Sequence, residues 1–504
     1  METVFDLVEA QAVARPDATY FIATETGRGL AFGELRDSCR RVCACLASRG
    51  LEPGSHVSLV MPNGLATLRV LLGAMYGGYC VNPVNLLSQP GQMRHVLDHS
   101  DCALVFAAPE WAARVGELVK SIARPIAVIE VDPNTDALPG EGPARSSPVA
   151  PRPDSLALLM YTSGTTGTPK GVMLTQGNVT ANARTISAEH ALGPSDRVAA
   201  VLPLYHINAF AVTMLAPLAH GGSLAMPPKF SASRFWEVAA RCECTWINVV
   251  PTIVSYLLEG STPPRDSLAR IRFCRSASAP LPPEHLLAFQ QKFGIGVIET
   301  MGLTETVAPA FSNPLDPARR KVGSVGRPSG CEARIVDERG VERADDEPGE
   351  IVIRGPQVTP GYYKDAPATA GAFFPGGWLR SGDIGLRDSD GFFFVTGRIK
   401  ELIIKGGENV APREIDEVLL RHPAVMDAAA VGVPDKHYGQ EVMACVILRA
   451  GAACSEAELK AFCVEHLGRY KTPKVIRFVD ELPRGPSGKV QRLKLLELLN
   501  AAPC

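Results

Sequence analysis

The chain has 504 residues, too many for one hydrophobic core, and a prior of about 150 residues per domain predicts roughly three lobes. Hydrophobic residues make up 46% of the chain and charged residues 21%, a balance that is typical of a globular enzyme. The 51 Lys and Arg residues face 53 Asp and Glu residues, which excludes a general electrostatic affinity for nucleic acid or anionic membranes.

The N-terminal part of the sequence predicts neither a secretion signal nor a transmembrane segment. Residues 1–6 read M-E-T-V-F-D and lack a basic stretch followed by an apolar one. The uncharged run 70–93 is interrupted by several Gly, Asn and Pro residues, which argues against a bilayer span. The 13 cysteines show no C-x-x-C spacing, so we expect reduced, buried thiols in a cytoplasmic protein.

Helical and strand-like patterns alternate along the first half of the chain. Residues 32–48 and 66–76 have the apolar spacing of helices, and 57–60 form a strand-like run between them. This alternation predicts parallel sheets with helices on their faces. The segment 137–153, rich in Pro, Gly, Ala and Ser, is predicted to be an exposed connector. Further strand-like runs are predicted at residues 103–106, 126–131, 198–202 and 246–250.

A loop rich in glycine and hydroxyl groups follows the apolar run 156–160. Residues 161–171 read Y-T-S-G-T-T-G-T-P-K-G, in which glycines let backbone N–H groups turn toward phosphate oxygens and Lys170 supplies a point charge. The stretch is not a P-loop, because Pro169 and Gly171 stand where that motif needs Gly and Ser or Thr. It predicts a polyphosphate site in a nucleotide-using enzyme, with a flexible surface loop as the alternative.

From residue 331 onward the pattern changes to shorter strand-like segments, which indicates a smaller β-rich lobe. A boundary is predicted near residues 398–401, and the remaining 100 residues or so read as a compact α+β unit. The predicted fold class is α/β, with a large N-terminal domain of layered α/β subdomains plus the β-rich lobe, followed by the small α+β domain. The segments concerned are 333–336, 350–354 and 392–396 in the lobe, and 415–420, 428–433, 442–448 and 459–467 in the last unit.

Seven short motifs accompany the loop at 161–171. They are P-L-Y-H at 203–206, S-A-S-A-P at 276–280, M-G-L-T-E at 301–305, S-G-D at 381–383, G-R-I-K-E at 397–401, G-G-E-N at 406–409 and S-G-K-V at 487–490. Together they resemble the adenylate-forming family of acyl-CoA and aryl-CoA synthetases, luciferases and peptide-synthetase adenylation domains. The resemblance spans almost the whole chain, and several spaced motifs are far more specific than one.

The resemblance implies an AMP-forming acid–thiol ligase with ATP, Mg²⁺ and coenzyme A. A carboxylate attacks the α-phosphorus of ATP to give an acyl-adenylate and pyrophosphate, and a thiol then displaces AMP. The family organisation implies an AMP-binding domain at 1–399 and a mobile domain at 400–504 that alternates between two positions about a hinge at Lys400. Such a reaction joins two anions, so the site must supply concentrated positive charge and oriented donors.

Specific roles follow from the matched positions. Lys489 bridges the carboxylate and the α-phosphate, Thr304 contacts phosphate, and Glu305 holds Mg²⁺. Asp383 accepts from both ribose hydroxyls with the help of Arg398. The catalytic set implied by the family is Lys489, Glu305, His206 and Thr304. The nucleotide-binding set is Thr162, Ser163, Gly164, Thr165, Thr166, Gly167, Lys170, Ser278, Ala279, Pro280, Glu299, Thr300, Met301, Asp383 and Arg398, with Met301 standing where the family commonly has an aromatic residue.

The substrates are less well specified. An α-amino acid is disfavoured because no aspartate accompanies Tyr205 and His206 to pair with an amino group. The small, polar residues expected to line the acyl pocket predict a short or medium, polar or aromatic acid. Arg275 is a candidate for binding a second carboxylate of the acid, although strand alternation leaves the orientation of its side chain open. The predicted acyl-pocket walls are His206, Asn208, Ala209, Thr252, Ser276, Ser278 and Gly302. The positions matched to CoA contacts are Gly406, Gly407, Tyr438, Tyr470 and Lys474.

Three alternatives stay open at this point. The thiol could belong to a carrier-protein phosphopantetheine, the second step could be oxidative as in luciferases, or the protein could be a nucleotide-binding sensor without turnover. Intact Lys489, Glu305 and Asp383 argue against the sensor. The expected partners are a small carboxylic acid, ATP and CoA, with no nucleic acid, and a homodimer is among the possible oligomeric states.

Overall fold

A computed structural model of the chain describes residues 1–142, 148–162, 168–484 and 490–496. None of the helices in these ranges combines the length and apolar character that crossing a bilayer requires. The α-helices are α1 (Val4–Ala14), α2 (Phe32–Ala47), α3 (Leu65–Tyr76), α4 (Pro90–His99), α5 (Pro109–Lys120), α6 (Gln176–Glu189), α7 (Ala216–His220), α8 (Phe235–Arg241), α9 (Pro251–Glu259), α10 (Arg265–Leu268), α11 (Pro283–Phe293), α12 (Ala366–Gly371), α13 (Pro412–Leu420) and α14 (Glu456–Lys471).

The strands supply four sheets. In the first half they are β1 (Thr19–Ala23), β2 (Gly29–Ala31), β3 (His56–Val60), β4 (Cys80–Pro83), β5 (Leu104–Ala107), β6 (Ala127–Glu130), β7 (Leu156–Thr162), β8 (Lys170–Thr175), β9 (Arg197–Ala199), β10 (Ser223–Met226), β11 (Trp246–Val249), β12 (Phe273–Ser276) and β13 (Val297–Leu303). In the second half they are β14 (Ala308–Ser312), β15 (Arg327–Pro328), β16 (Glu332–Val336), β17 (Gly349–Arg354), β18 (Gly361–Tyr362), β19 (Phe373–Phe374), β20 (Trp378–Arg387), β21 (Phe393–Arg398), β22 (Ile403–Lys405), β23 (Glu408–Val410), β24 (Val425–Asp435), β25 (Gly439–Leu448) and β26 (Val475–Phe478).

Two large sheets form the N-terminal layers. A nine-stranded sheet has the order β15-β14-β13-β12-β11-β9-β10-β1-β2, and a seven-stranded sheet has the order β18-β8-β7-β4-β3-β5-β6. One continuous apolar core, which includes Leu158 and Trp246, draws its side chains from both sheets and from the helices between them. Capping supports the helices locally; in α6, Thr175 accepts from the backbone N–H of Asn178 at 3.1 Å.

The expectation of parallel sheets is only partly correct. Strands β3, β4, β5, β6 and β7 are parallel to one another, but β7 runs antiparallel to β8, and β8 runs antiparallel to β18. The reason is the length of the connection between β7 and β8, residues 163–169, which is too short for the crossover that two parallel strands need. The phosphate-loop motif therefore connects the two strands of a hairpin.

The predicted exposed connector at 137–153 is confirmed for most of residues 137–142, but Leu138 and the carboxylate of Glu141 are buried. Leu138 is 3% exposed, and the carboxylate of Glu141 lies 2.5 Å from Nη2 of the buried Arg69 and 2.9 Å from Nε of Arg41. Arg69 also donates to the carbonyl oxygen of Asp136. A buried cation on α3 thus holds this segment against the domain, which composition alone does not reveal.

The remaining strands form two smaller sheets. The first has the order β16-β17-β20-β19 with β21 paired to β20, and it is the β-rich lobe expected from the sequence. The second has the order β23-β22-β25-β24 with β26 paired to β25, and helices α13 and α14 pack with it around a core that contains Ile415 and Leu459. Every strand of this last sheet lies after Lys400.

Candidate active site

The carboxyl ends of neighbouring strands converge at one edge of the nine-stranded sheet, the usual place for ligands in such sheets. Strand β11 pairs with β12 so that Asn248 lies opposite Arg275, and β12 pairs with β13 so that Ser276 lies opposite Glu299. The motifs at 276–280 and 301–305 are therefore neighbours in space.

The phosphate-loop hairpin is anchored at both ends. Thr162 pairs with Lys170 across β7 and β8, and the ammonium of Lys170 lies 3.5 Å from Asp365 and 5.4 Å from the centre of the Tyr362 ring. The predicted nucleotide contacts Ser163, Gly164, Thr165, Thr166 and Gly167 lie outside the described residues, as does Lys489.

Glu305 lies on a short 3₁₀ turn, Thr304–Thr306, that joins β13 to β14. The hydroxyl of Tyr362 donates to Oε1 of Glu305 at 2.8 Å, so Tyr362 connects the phosphate hairpin to this carboxylate. Burial and the adjacent Glu305 raise the pKa of Tyr362, which keeps the phenol a hydrogen-bond donor at neutral pH.

A buried asparagine on α6 fixes the backbone immediately after Glu305. Nδ2 of Asn182 contacts the carbonyl oxygens of Thr306, Val307 and Pro309 at 2.9, 2.6 and 3.1 Å. Val307 and Ala308 have φ angles of 55° and 73°, a left-handed conformation that is strained for residues other than glycine. Asn182 thus stabilises an unfavourable turn that sets the position of Thr304 and Glu305.

The predicted adenine-lining residues lie on two adjacent elements. Ser278, at a left-handed φ of 76°, Ala279 and Pro280 form the loop after β12, while Glu299, Thr300 and Met301 follow one another on β13. Met301 is half-buried and packs against the core of the β-rich lobe. Glu299 is 7% exposed, and its Oε2 has no hydrogen-bond partner among the described residues.

We expect Glu299 to make stability depend on pH. Burial raises the pKa of Glu299 to about 7 in the folded protein, well above its value in the unfolded chain. As the pH rises, the unfolded chain therefore loses this proton first, and the folded state becomes less favourable relative to it. The free energy of unfolding therefore includes the whole contribution of protonated Glu299 near pH 4. It falls by about 3 kcal/mol as the pH rises to and through 7. Urea unfolding of Glu299→Gln and wild type should agree best at pH 5 and diverge in favour of the variant by pH 8. Exposed Glu338→Gln is the control, and a difference that does not vary with pH would contradict the expectation.

Asp383 and Arg398 form a cross-strand pair on β20 and β21. Nε and Nη2 of Arg398 lie 2.7 and 3.4 Å from the two carboxylate oxygens of Asp383, which is 4% exposed. Burial lowers the pKa of Arg398, but the charges of Asp383, Glu401 and Glu305 outweigh it and leave the pKa raised. The pair therefore lies within electrostatic reach of the Glu305 carboxylate.

The predicted acyl-pocket residues come from several elements. His206 is half-buried with its ring 4.7 Å from that of Tyr205, and it precedes a π-helix, Asn208–Leu215, a form frequently found at functional sites. Thr252 is half-buried at the start of α9, and Gly302 lies on β13. Asn208, Ala209 and Ser276 are buried, and Ala209 belongs to the large core.

The glycine pair predicted to contact CoA forms the tight turn between β22 and β23. Gly406 and Gly407 have φ angles of 55° and 89°, and the N–H of Gly406 donates to the carbonyl of Tyr438 at 2.8 Å. Beneath the turn, the ammonium of Lys405 lies 2.5 Å from Glu441, and both side chains are largely buried.

The other predicted positions of the C-terminal part are more exposed. Tyr438 is 49% exposed, and Lys474 pairs with Asp435 at 2.9 Å. Lys400 lies on a 3₁₀ turn, Ile399–Glu401, between the two smaller sheets. Arg421, which follows α13, lies 4.0 Å from Glu284 of α11, so an ion pair joins this part of the chain to a helix that follows the loop at 276–280.

Sequence reasoning missed Tyr362 and Asn182, and it left the orientation of Arg275 open. Tyr362 gave no signal, because its contact with Glu305 joins residues 57 positions apart. The sequence contained a weak signal for Asn182, because this polar residue lies at helical spacing among the apolar residues Val179, Ala183 and Ile186 on the buried side of α6.

Comparison with known proteins agrees with this geometry. Residues 8–363 match the family model of AMP-binding enzymes, and residues 414–489 match the model of the AMP-binding enzyme C-terminal domain. A sulfoacetate–CoA ligase of Cupriavidus necator is 55% identical over 98% of this chain and 97% of the relative. An oxalate–CoA ligase of Arabidopsis thaliana is 35% identical over 97% of both chains. ATP-bound MatB from Rhodopseudomonas palustris superposes with a TM-score of 0.91 at 28% identity, covering 99% of both chains.

These matches confirm the resemblance inferred from the eight motifs, the α/β fold with its large and small domains, and the enzymatic class. The two matched ranges include Lys170, Glu305 and Tyr362, whereas Asp383, Arg398 and the glycine pair 406–407 lie between them. The chain belongs to the AMP-binding enzyme family and is an ATP-dependent, AMP-forming acid–thiol ligase.

Proposed function

We propose that the chain converts a short, polar carboxylic acid into its CoA thioester through an acyl-adenylate, with sulfoacetate as the first acid to assay. The observation that carries the proposal is that direct contacts link Lys170, Tyr362 and Glu305 across two sheets, while the Asp383–Arg398 pair of a third sheet lies within electrostatic reach of Glu305. The relative at 55% identity supports CoA as the thiol acceptor and sulfoacetate as a candidate acid.

In the first half-reaction a carboxylate oxygen of the acid bonds to the α-phosphorus of ATP, and the bond to the β-phosphate breaks to release pyrophosphate. Asp383 and Arg398 orient the ribose, and the loop at 276–280 with β13 holds the adenine. Lys489 and the phosphate hairpin offset the repulsion between the two anions. The hydroxyl of Thr304 donates to phosphate oxygen.

In the second half-reaction the sulfur of CoA bonds to the acyl carbon, the bond to the AMP oxygen breaks, and the thiol proton is lost. We place the domain boundary at 399/400, where Lys400 acts as the hinge, since every strand beyond it belongs to a sheet with its own core. Gly406 and Gly407 then admit the pantetheine arm close to backbone, and Tyr438 and Lys474 lie at its entrance.

The residues present fit a magnesium ion. No group of three or more His, Cys, Asp and Glu side chains in the described ranges could hold a metal, so Glu305 would share the ion with the phosphates of ATP, as Mg²⁺ commonly requires. The bound ion would neutralise phosphate charge. The described cysteines are free thiols, which supports the cytoplasmic location predicted from the sequence.

The proposal is tested by separating the two half-reactions. Wild type should convert sulfoacetate, MgATP and CoA into equal amounts of thioester, AMP and pyrophosphate. Lys489→Ala should lose acid-dependent ATP–pyrophosphate exchange by on the order of 10²–10³-fold, while thioester formation from supplied acyl-adenylate stays largely intact. Exposed Lys494→Ala is the matched control.

Two outcomes would contradict the proposal. Equal losses in both half-reactions of Lys489→Ala would remove Lys489 from the first step. Wild type that makes no CoA thioester from any acid of a broad panel, but loads a phosphopantetheine carrier protein, would replace CoA by the carrier as acceptor.

A further inference from the structure

Arg275 is a buried cation with no anionic partner among the described residues. It is 1% exposed, and its Nη1 lies 2.8 Å from Oδ1 of Asn208 and 2.7 Å from Oδ1 of Asn248. Its Nε has no hydrogen-bond partner, and no carboxylate in the described ranges lies within ion-pair distance of the guanidinium. Two neutral amide oxygens therefore take the place that a carboxylate normally fills around a buried arginine.

The charge persists at neutral pH despite this environment. Burial lowers the pKa of Arg275 to about 9, which still leaves the side chain protonated at pH 7. Burial, and secondly the charge of Arg275, lower the pKa of nearby His190 to about 3, so His190 is neutral and adds no competing charge. An uncompensated buried charge is unfavourable, and an anion that reaches it would be held strongly.

The position of Arg275 places this charge beside the predicted acyl pocket. It is the penultimate residue of β12, directly before Ser276. Asn248 is its paired neighbour on β11, so the side chains of Arg275 and Asn248 lie on the same face of the sheet. Asn208 begins the π-helix two residues after His206, and its Nδ2 donates to Oγ of Ser278 at 3.2 Å. One hydrogen-bond chain thus links the guanidinium to the pocket wall and to the loop after β12.

We propose that Arg275, Asn208 and Asn248 form a subsite that receives a second anionic group of the acid, a sulfonate or a carboxylate, while the first carboxylate meets ATP. This inference rests on the proposed ligase function and deepens it. The amide oxygens hold Nη1 in place, and the remaining donors of the guanidinium are available to oxyanion oxygens. Arg275 is thereby a residue that determines specificity.

The test compares acids of similar shape with and without the second charge. Sulfoacetate is paired with methylsulfonylacetate, and malonate with its monomethyl ester, so the two pairs distinguish a sulfonate from a carboxylate. Wild type should prefer the dianion in at least one pair, measured as kcat/KM for CoA-dependent AMP formation. Arg275→Met should lower kcat/KM for that dianion by on the order of 10²–10³-fold and for its monoanionic partner by less than about 3-fold.

Two further variants keep the test decisive. Arg272→Met makes the same substitution three residues earlier at an exposed arginine paired with Asp196, and it should leave both rates unchanged. Asn248→Asp keeps Arg275 but gives it a resident carboxylate, and it should abolish the preference for the dianion even if Arg275→Met does not fold.

The outcomes separate this inference from the function on which it rests. Wild type that forms thioesters from the monoanions as well as from the dianions overturns the subsite but leaves the ligase function intact. So does an equal loss for both members of a pair in Arg275→Met, or a preference that survives Asn248→Asp. Wild type that forms no thioester from any acid overturns both.

Discussion

We expect Gly302→Ala to lower acid-dependent ATP–pyrophosphate exchange by on the order of 10²-fold or more, because misplacing reacting groups by about 1 Å has effects of that size. Gly302 lies on β13 opposite Pro309 of β14. A methyl group built on it would lie 1.7 Å from the carbonyl oxygen of Ala308. The obstacle is backbone rather than a flexible side chain, so the two strands would have to separate.

The separation would act on the turn that carries two of the proposed catalytic residues. The Ala308 carbonyl also accepts from the hydroxyl of Thr306 at 2.8 Å, and the same turn contains Thr304 and Glu305. Moving it would displace Thr304 and Glu305 from their proposed positions beside phosphate and Mg²⁺. Exchange assays and thermal denaturation should be run beside Gly371→Ala, whose added methyl group would meet no atom within 4 Å. Exchange at the wild-type rate in Gly302→Ala would show that the strands tolerate the methyl group.

The sequence predicted the elements better than their arrangement. Helical spacing predicted residues 32–48 and 66–76, and the structure has Phe32–Ala47 and Leu65–Tyr76. These patterns are local, because they record which face of each element is buried. The direction of β8 relative to β7 depends on the length of the segment that connects them. The alternation of helices and strands along the sequence did not reveal that these two strands form an antiparallel hairpin.

The residues of the candidate site also differ in whether a local sequence pattern or the arrangement of distant elements identifies them. Glu305, Asp383 and Arg398 were proposed as site residues because each belongs to a short motif that resembles a motif of the family. Asn182 could not be predicted in this way, since its contacts with the carbonyls of Thr306 and Val307 join residues 124 and 125 positions apart. The face on which Arg275 lies also depends on the pairing of β11 with β12, which no single strand reveals.

We expect Asp383→Asn to lower kcat/KM for ATP by on the order of 10²–10³-fold, mainly through KM, because each hydrogen bond to a charged acceptor is worth about 1.5–3 kcal/mol. The proposed role of Asp383 is to accept from both ribose hydroxyls. An amide presents one oxygen in place of two and turns an NH₂ group toward other donors. The substitution also leaves Arg398 without the carboxylate that it contacts at 2.7 Å.

Nucleotide analogues distinguish binding of the ribose from a purely structural role of Asp383. Wild type should use 2′,3′-dideoxy-ATP far less well than ATP, whereas Asp383→Asn should discriminate little between the two, since the acceptor that recognises the hydroxyls is gone. Asp390→Asn is the matched control, because Asp390 is an exposed carboxylate on the turn between β20 and β21 and forms an ion pair with Lys321. If Asp383→Asn lost the same factor with both nucleotides, the carboxylate would serve to hold β20 to β21, and the ribose would have to be bound by other residues.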